Sequence, residues 1–106
     1  MASATDGVLE IADIEVPSGS EAAFEAAVAK AAPLFQQSPG CRSMTLHRSI
    51  EYPSKYRLVV GWDSVEAHTE SFRNSERFQQ WRALVGPFFA SPPKVEHYRR
   101  AVTGFH

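Results

Sequence analysis

The alternation of apolar and polar positions divides the chain into four strands and three helices. Apolar runs rich in β-branched residues predict strands at residues 8–16, 41–50, 56–62 and about 94–102. Apolar positions three and four residues apart predict helices that begin near Ser18, at Ser64 and at Ser75. The element order is therefore β-α-β-β-α(α)-β.

The first helix is predicted from its cap and its apolar stripe. Ser18 and Glu21 have the spacing of a capping box, and Ser20 is a competing cap. Pro33 removes one hydrogen bond of the helix, so we expect a kink or a thinned last turn. The apolar stripe consists of Phe24, Val28, Ala31 and Phe35. Because this stripe is narrow and flanked by alanines, the helix can pack closely on a sheet.

Residues 56–62 predict a central strand. One face carries Tyr56, Leu58, Val60 and Trp62, and the other carries Arg57, Val59 and Gly61. The short turn at residues 51–55 predicts a hairpin with the preceding strand. Both faces are largely apolar, but a single layer of helices covers only one of them. The other face needs a second subunit to cover it, so this strand indicates an oligomer. Four antiparallel strands with helices on one face form a ferredoxin-like α+β fold.

Length, charge and cysteine content exclude several classes of protein. With 106 residues there is room for one domain, with its core at residues 8–102 and loose tails at residues 1–6 and 103–106. A formal net charge of -1 gives no general attraction to nucleic acid or to an acidic membrane. Cys41 is the only cysteine, and the chain carries no signal-peptide pattern, so we expect a cytoplasmic protein without an internal disulfide.

His68 and Trp62 are the candidate catalytic residues. His68 shares a helix face with Val65 and Phe72, so its ring points toward the sheet. It is either a hydrogen-bonded structural histidine, or a general base for or hydrogen-bond donor to a phenolic oxygen, because the ordinary pKa of histidine lies near neutral. Trp62 either fills the core beneath the helices or also forms a wall of a pocket.

Several aromatic side chains are positioned to line a cavity for a flat aromatic ligand, although such stripes usually form core. The predicted substrate-binding residues are Leu58, Phe72, Phe78, Trp81, Phe89 and Tyr98. His47 and His97 lie on strands at interfacial or exposed positions. No metal-ligand spacing and no phosphate-binding or nucleotide-binding glycine motif is present, so we expect no metal and no tightly bound cofactor.

The order of short motifs resembles the antibiotic biosynthesis monooxygenase (ABM) domain over residues 8–102. The matching motifs are Trp62-Asp63-Ser64, Glu66-Ala67-His68, Phe72 to Ser75, Phe78 to Trp81, and Pro93 to Tyr98. The resemblance implies a dimeric α+β barrel, in which the sheets of two subunits pack face to face and each subunit keeps a pocket. Family membership says more about fold than about chemistry.

Two subtypes of the resembled family carry polar residues that this chain lacks. Aromatic-polyketide oxygenases carry an asparagine four positions before the tryptophan, where Leu58 stands. Haem-degrading members use an asparagine on the first strand and a histidine at the position of Phe72. Both absences argue against those two particular activities.

Two functional hypotheses follow. The first is a dimeric, cofactor-independent monooxygenase that oxidises an aromatic or polyphenolic small molecule, with His68 taking or holding the phenolic proton. The second is a non-enzymatic dimeric protein that binds a small molecule in the same pocket. Haem degradation and isomerase activity rank below both. Neither nucleic acid nor a membrane is an expected partner, because the chain lacks the basic-Gly-aromatic motif of RNA-recognition modules and any apolar run long enough to span a bilayer.

Overall fold

The computed structural model describes residues 7–106, and the predicted tail at residues 1–6 lies outside them. The elements are β1 (Val8–Glu15), α1 (Glu21–Gln36), β2 (Cys41–Arg48), β3 (Lys55–Trp62), a π-helix (Ala67–Phe72), α2 (Glu76–Val85), a 3-10 turn (Gly86–Phe88) and β4 (Lys94–Tyr98). The predicted order of elements is confirmed. The predicted second helix is π-helical over most of its length.

The four strands form one antiparallel sheet in the order β2-β3-β1-β4. This order confirms the predicted ferredoxin-like α+β fold and places β3 and β1 at the centre. Strand β4 ends at Tyr98, four residues earlier than predicted. The reason is that its partner begins at Val8 and pairs Leu9 with Tyr98, so no described strand remains for the following residues.

Strand β2 ends before the predicted Ile50 because the turn takes up the residues that follow Arg48. The amide of Ser49 donates to the Lys55 carbonyl at 2.9 Å, and the Lys55 amide donates to the Tyr52 carbonyl at 2.8 Å. These two bonds close the hairpin. The predicted antiparallel return of β3 is thus confirmed, with a turn longer than expected.

Helix α1 forms as predicted, with the competing cap Ser20 at the N-cap position, whereas the predicted capping box of Ser18 and Glu21 is wrong. The hydroxyl of Ser20, at the cap position, donates to the Pro17 carbonyl and makes no side-chain cap hydrogen bond. The carboxylate of Glu21 accepts from the amide of Gly19 at 2.9 Å, whereas a capping box with Ser18 requires the Ser18 amide. The helix continues through Pro33 to Gln36. All four residues of the predicted stripe are buried.

The core lies between the helices and one face of the sheet, which we call the inner face. It includes Leu58, Val60 and Trp62 of β3 together with Phe35 of α1 and Trp81 of α2. The opposite, outer face carries Leu9, Ile11, Val59 and Tyr98. On this face Leu9 is 41% and Tyr98 47% exposed, so one chain leaves it uncovered. No helix in the part of the chain that the structure describes is long and apolar enough to cross a membrane.

Candidate functional site

The helix after β3 directs two predicted site residues into the core. The Ser64 hydroxyl accepts from the Ala67 amide at 3.1 Å, which confirms Ser64 as the cap. The Arg73 amide then donates to the His68 carbonyl five residues back, as in a π-helix. This wider turn holds both His68 and Phe72 against the sheet, and each is 2% exposed. Single π turns occur frequently at functional sites.

Polar contacts among Glu10, Trp62, His68 and His97, which we call the polar cluster, cross this part of the core. The indole Nε1–H of Trp62 donates to Oε1 of Glu10 at 3.0 Å. Nε2 of His68 lies 3.3 Å from the same oxygen. Nδ1 of His68 lies 2.8 Å from Nε2 of His97. Glu10, Trp62 and His68 are each at most 5% exposed, whereas His97 is half-buried. The polar cluster therefore extends from the core toward the surface.

Burial is the largest cause of the pKa shifts of Glu10, His68 and His97. It raises the pKa of Glu10, against the lowering effects of the Trp62 hydrogen bond and of the Arg73 charge. It lowers the pKa of His68 to about 4, and the charges of Arg73 and His97 act in the same direction. The pKa of His97 is lowered as well, by burial and by Arg73. His68 is therefore a neutral imidazole at neutral pH.

A neutral His68 fixes the direction of the hydrogen bonds. A carboxylate oxygen of Glu10 is acceptor-only, so its contact with Nε2 of His68 at 3.3 Å favours the tautomer with the ring proton on Nε2. Nδ1 of His68 then has a lone pair, and it accepts from Nε2–H of His97. In this tautomer, His68 presents N–H to Glu10 and a lone pair to His97, so its two contacts are compatible.

Aromatic rings enclose His68. The rings of Trp62 and His68 are stacked, with centroids 5.4 Å apart and planes 22° apart. Phe72 packs on Trp62 at 5.4 Å and on Phe35 at 4.8 Å. These contacts hold the imidazole in one orientation and keep water away from its faces.

A cavity of about 840 Å³ opens beside Glu10 and His68, between the inner face of the sheet, α2 and residues 86–93. The predicted residues Leu58, His68, Phe78, Trp81 and Phe89 all line it. Its charged lining residues are Glu10, Arg73 and Arg82.

Three predicted site residues lie elsewhere. Trp62 and Phe72 lie behind the wall of the cavity, packed against His68. Tyr98 lies on the outer face, where its hydroxyl donates to Glu96 at 3.0 Å, on the side of β4 opposite to His97. His47 is exposed on β2, with Nε2 3.0 Å from the Thr45 hydroxyl.

Sequence reasoning missed Glu10, His97 and Arg73 as members of the site. Glu10 had a signal, because it shares its strand face with Val8, Ala12 and Ile14, and a carboxylate on a buried face needs partners. The position of His97 depends on the register between β1 and β4, which places it directly opposite Glu10. The pattern of apolar positions does not fix that register. Within residues 7–106 no group of three His, Cys, Asp or Glu side chains could hold a metal ion.

Comparisons with known proteins identify relatives over most of the chain. The family model described as Antibiotic biosynthesis monooxygenase matches residues 7–84. The uncharacterized protein YczJ of Bacillus subtilis (strain 168) is 38% identical over 92 residues, which are 87% of this chain and 97% of YczJ.

Solved structures agree with the family match. A crystal structure from Bordetella bronchiseptica, of a candidate antibiotic biosynthesis monooxygenase, is 52% identical with a TM-score of 0.88, over 90% of this chain and 97% of that one. SnoaB, a cofactor-independent oxygenase from Streptomyces nogalater, is 20% identical with a TM-score of 0.79, over 93% of this chain and 97% of SnoaB. At that identity the likeness shows the fold alone.

Proposed function

The chain belongs to the antibiotic biosynthesis monooxygenase family, and from this membership we propose that it is a small cofactor-independent monooxygenase. Its substrate would be an aromatic or polyphenolic molecule bound in the cavity between sheet and helices. The resemblance predicted from the order of motifs is confirmed by the family match.

The observation that carries this proposal is the contact of His68 with Glu10 at 3.3 Å and with His97 at 2.8 Å in the wall of an aromatic-lined cavity. A phenol becomes electron-rich enough to react with O2 once its proton is removed. O2 then adds to a ring carbon as a hydroperoxide, and loss of water leaves a quinone, so a phenol and O2 give a quinone and water. The protein has to remove a proton, hold the ring and exclude water.

The lining of the cavity suits a flat ring system. Phe78, Trp81 and Phe89 supply aromatic surface, and Leu58 supplies an apolar floor. A volume of about 840 Å³ lies within the range of ordinary small-molecule sites. In this proposal the pair of Glu10 and His68 takes or holds the phenolic proton, and Trp62 keeps the His68 ring in place.

Oxygen uptake with naphthohydroquinone as the substrate tests the proposal. Wild-type protein should consume O2 faster than autoxidation, and His68→Ala should lower the enzymatic rate, because it removes the ring that contacts Glu10 in the cavity wall. His47→Ala is the matched control, because it removes an exposed histidine outside the cavity. Uptake that never exceeds autoxidation in wild-type protein would count against enzymatic turnover.

The second candidate, a protein that binds an aromatic molecule without reaction, is favoured by one observation. The pKa of His68 is lowered to about 4, which makes the ring a weak base at neutral pH. This candidate predicts thermal stabilisation by the ligand that survives His68→Ala, with no turnover. Native mass spectrometry of the purified protein checks it through any small molecule that remains bound.

We also propose that two copies of the chain associate through the outer face. Support comes from the partly exposed apolar residues Leu9, Ile11 and Val59 on a sheet whose inner face alone is covered by helices. Sedimentation equilibrium should give twice the chain mass, and Leu9→Glu should shift it to one chain. Ile50→Glu is the control, because this 89% exposed residue lies in the β2–β3 turn. A wild-type protein that sediments as a single chain would refute the association.

A further inference from the structure

Both ring nitrogens of His68 are already engaged. Nε2 lies 3.3 Å from Oε1 of Glu10, and Nδ1 lies 2.8 Å from Nε2 of His97. A neutral imidazole has one donor and one acceptor nitrogen. In the tautomer with its ring proton on Nε2, His68 therefore has no lone pair to offer a ligand in the cavity unless its bond to His97 breaks.

Glu10 has an oxygen to spare. Its Oε1 receives the Trp62 indole N–H at 3.0 Å and the His68 ring. No hydrogen bond within the described residues engages Oε2. Glu10 lines the cavity and is the one acid that does so, which makes Oε2 the oxygen that a ligand could meet.

We propose that Glu10, at Oε2, is the catalytic base that takes the proton from a hydroxyl of the aromatic substrate. His68 and His97 are then positioning residues. The His97 N–H keeps Nδ1 of His68 free of a proton, so the ring proton stays on Nε2 and holds Oε1. This inference rests on the proposed function and names the group that performs its proton transfer.

The charged and titratable groups around Glu10 suit this role. They are His68 on the π-helix, Arg73 immediately after it, His97 on β4 and Cys41 on β2, with the Trp62 N–H from β3. Burial raises the pKa of Glu10, which makes its carboxylate a stronger base. The positive charge of Arg73, on the wall of the cavity, favours the substrate oxyanion that remains.

The proton balance closes on Glu10 alone. The hydroxyl proton moves to Oε2, which leaves a neutral carboxylic acid and a substrate oxyanion, while His68 keeps its Nε2 proton. After O2 has added to the ring carbon, the proton on Oε2 passes to the peroxide oxygen. The carboxylate is restored, and neither histidine has changed its charge.

Two isosteric variants separate Glu10 from His68 as the base. Glu10→Gln keeps an oxygen that accepts from Trp62 and His68 but cannot take a proton. His68→Gln keeps an N–H donor at the position of Nε2. We expect Glu10→Gln to lower kcat for naphthohydroquinone oxidation by at least about a hundredfold, and His68→Gln to lower it less. A Glu10→Gln variant that stays active while His68→Gln is inactive would overturn the proposal.

His97 provides a second readout that a purely structural role would not move. His97→Gln retains an N–H donor for Nδ1 of His68, whereas His97→Leu does not. Nitrogen-15 NMR should show the His68 ring proton on Nε2 in wild type and in His97→Gln, and a mixture of tautomers in His97→Leu. A wild-type ring proton on Nδ1 would refute the assignment.

A last experiment needs no substrate turnover, so its result separates this inference from the proposed function. During acid titration, carbon-13 NMR of the Glu10 carboxyl should show it taking up its proton at a higher pH than the His68 ring. Protonation of His68 while Glu10 is still a carboxylate would make His68 the proton acceptor and overturn the inference. If wild-type protein turns over no substrate but this titration order is found, the monooxygenase proposal fails and Glu10 remains the proton acceptor of the cavity.

Discussion

Acidification from pH 7 to pH 5 should destabilise the folded protein by about 2 kcal/mol through His68 alone. The folded pKa of this ring is lowered from 6.5 to about 4. In the unfolded chain the ring takes up its proton near its ordinary value, whereas the folded protein resists protonation. The stability that depends on a neutral His68 is complete above the unfolded pKa and is lost as the pH falls toward the folded one.

The magnitude follows from the two pKa values. At pH 5 the unfolded ring is almost fully protonated and the folded ring is mostly neutral, which corresponds to roughly a thirtyfold change in the unfolding equilibrium, or about 2 kcal/mol. The ring is 2% exposed, so solvent screens little of this effect. Glu10 acts in the opposite direction, because its raised pKa makes the folded state bind a proton more readily as the pH falls.

Urea unfolding of wild type and His68→Gln at pH 7 and pH 5, at one protein concentration, isolates the contribution of His68. Other titrating groups largely cancel in the difference between the two proteins. The wild-type midpoint should fall by roughly 1 to 2 M more than that of His68→Gln, given an m-value of about 1 to 1.5 kcal/mol/M. His47→Gln, at an exposed position on β2, should behave as wild type. Equal losses in wild type and His68→Gln would refute the reasoning.

Three further substitutions test the framework around the site by denaturant unfolding. Trp62→Phe removes the N–H that donates to Glu10 at 3.0 Å and should cost about 1 to 3 kcal/mol; a smaller cost would mean that water replaces the indole. Gly40→Ala adds a Cβ 2.8 Å from the first residue of the π-helix at a positive φ of 83°, whereas Gly19→Ala has a positive φ of 97° with open space, so the difference between their costs measures the clash. Ser64→Ala removes the cap of the π-helix and should cost about 1 kcal/mol, with no loss expected if water caps the helix equally well.

Local patterns were sufficient to predict the elements and the buried face of each one. The stripe Phe24 to Phe35 and the inner positions of β3 have the periods of a helix and a strand, and the structure buries them as expected. His68 was predicted to face the sheet because of its spacing from Phe72, and it does. Periodicity of this kind needs no knowledge of distant contacts.

The partners of His68 could not be predicted in the same way. They come from residues at opposite ends of the chain, Glu10 and His97, which meet only because β1 pairs with β4 in one register. The π turn likewise depends on a hydrogen bond between residues five apart, from the Arg73 amide to the His68 carbonyl. The spacing of apolar residues does not distinguish this turn from a turn of α-helix. Strand length shows the same limit, since β4 ends at Tyr98, opposite Leu9 near the start of its partner β1.

The cross-strand pairing of residue 10 with residue 97 has a consequence for the order of folding. The β2–β3 hairpin joins neighbours in sequence and has a small loop-closure entropy, whereas β1 and β4 must close almost the whole chain. A nascent polypeptide on the ribosome therefore brings His97 to Glu10 and His68 only after strand β4 has emerged. In pulse-labelled hydrogen exchange, amides of β2 and β3 should become protected before those that bond β1 to β4. The wall of the cavity is consequently incomplete until synthesis of the domain is nearly finished.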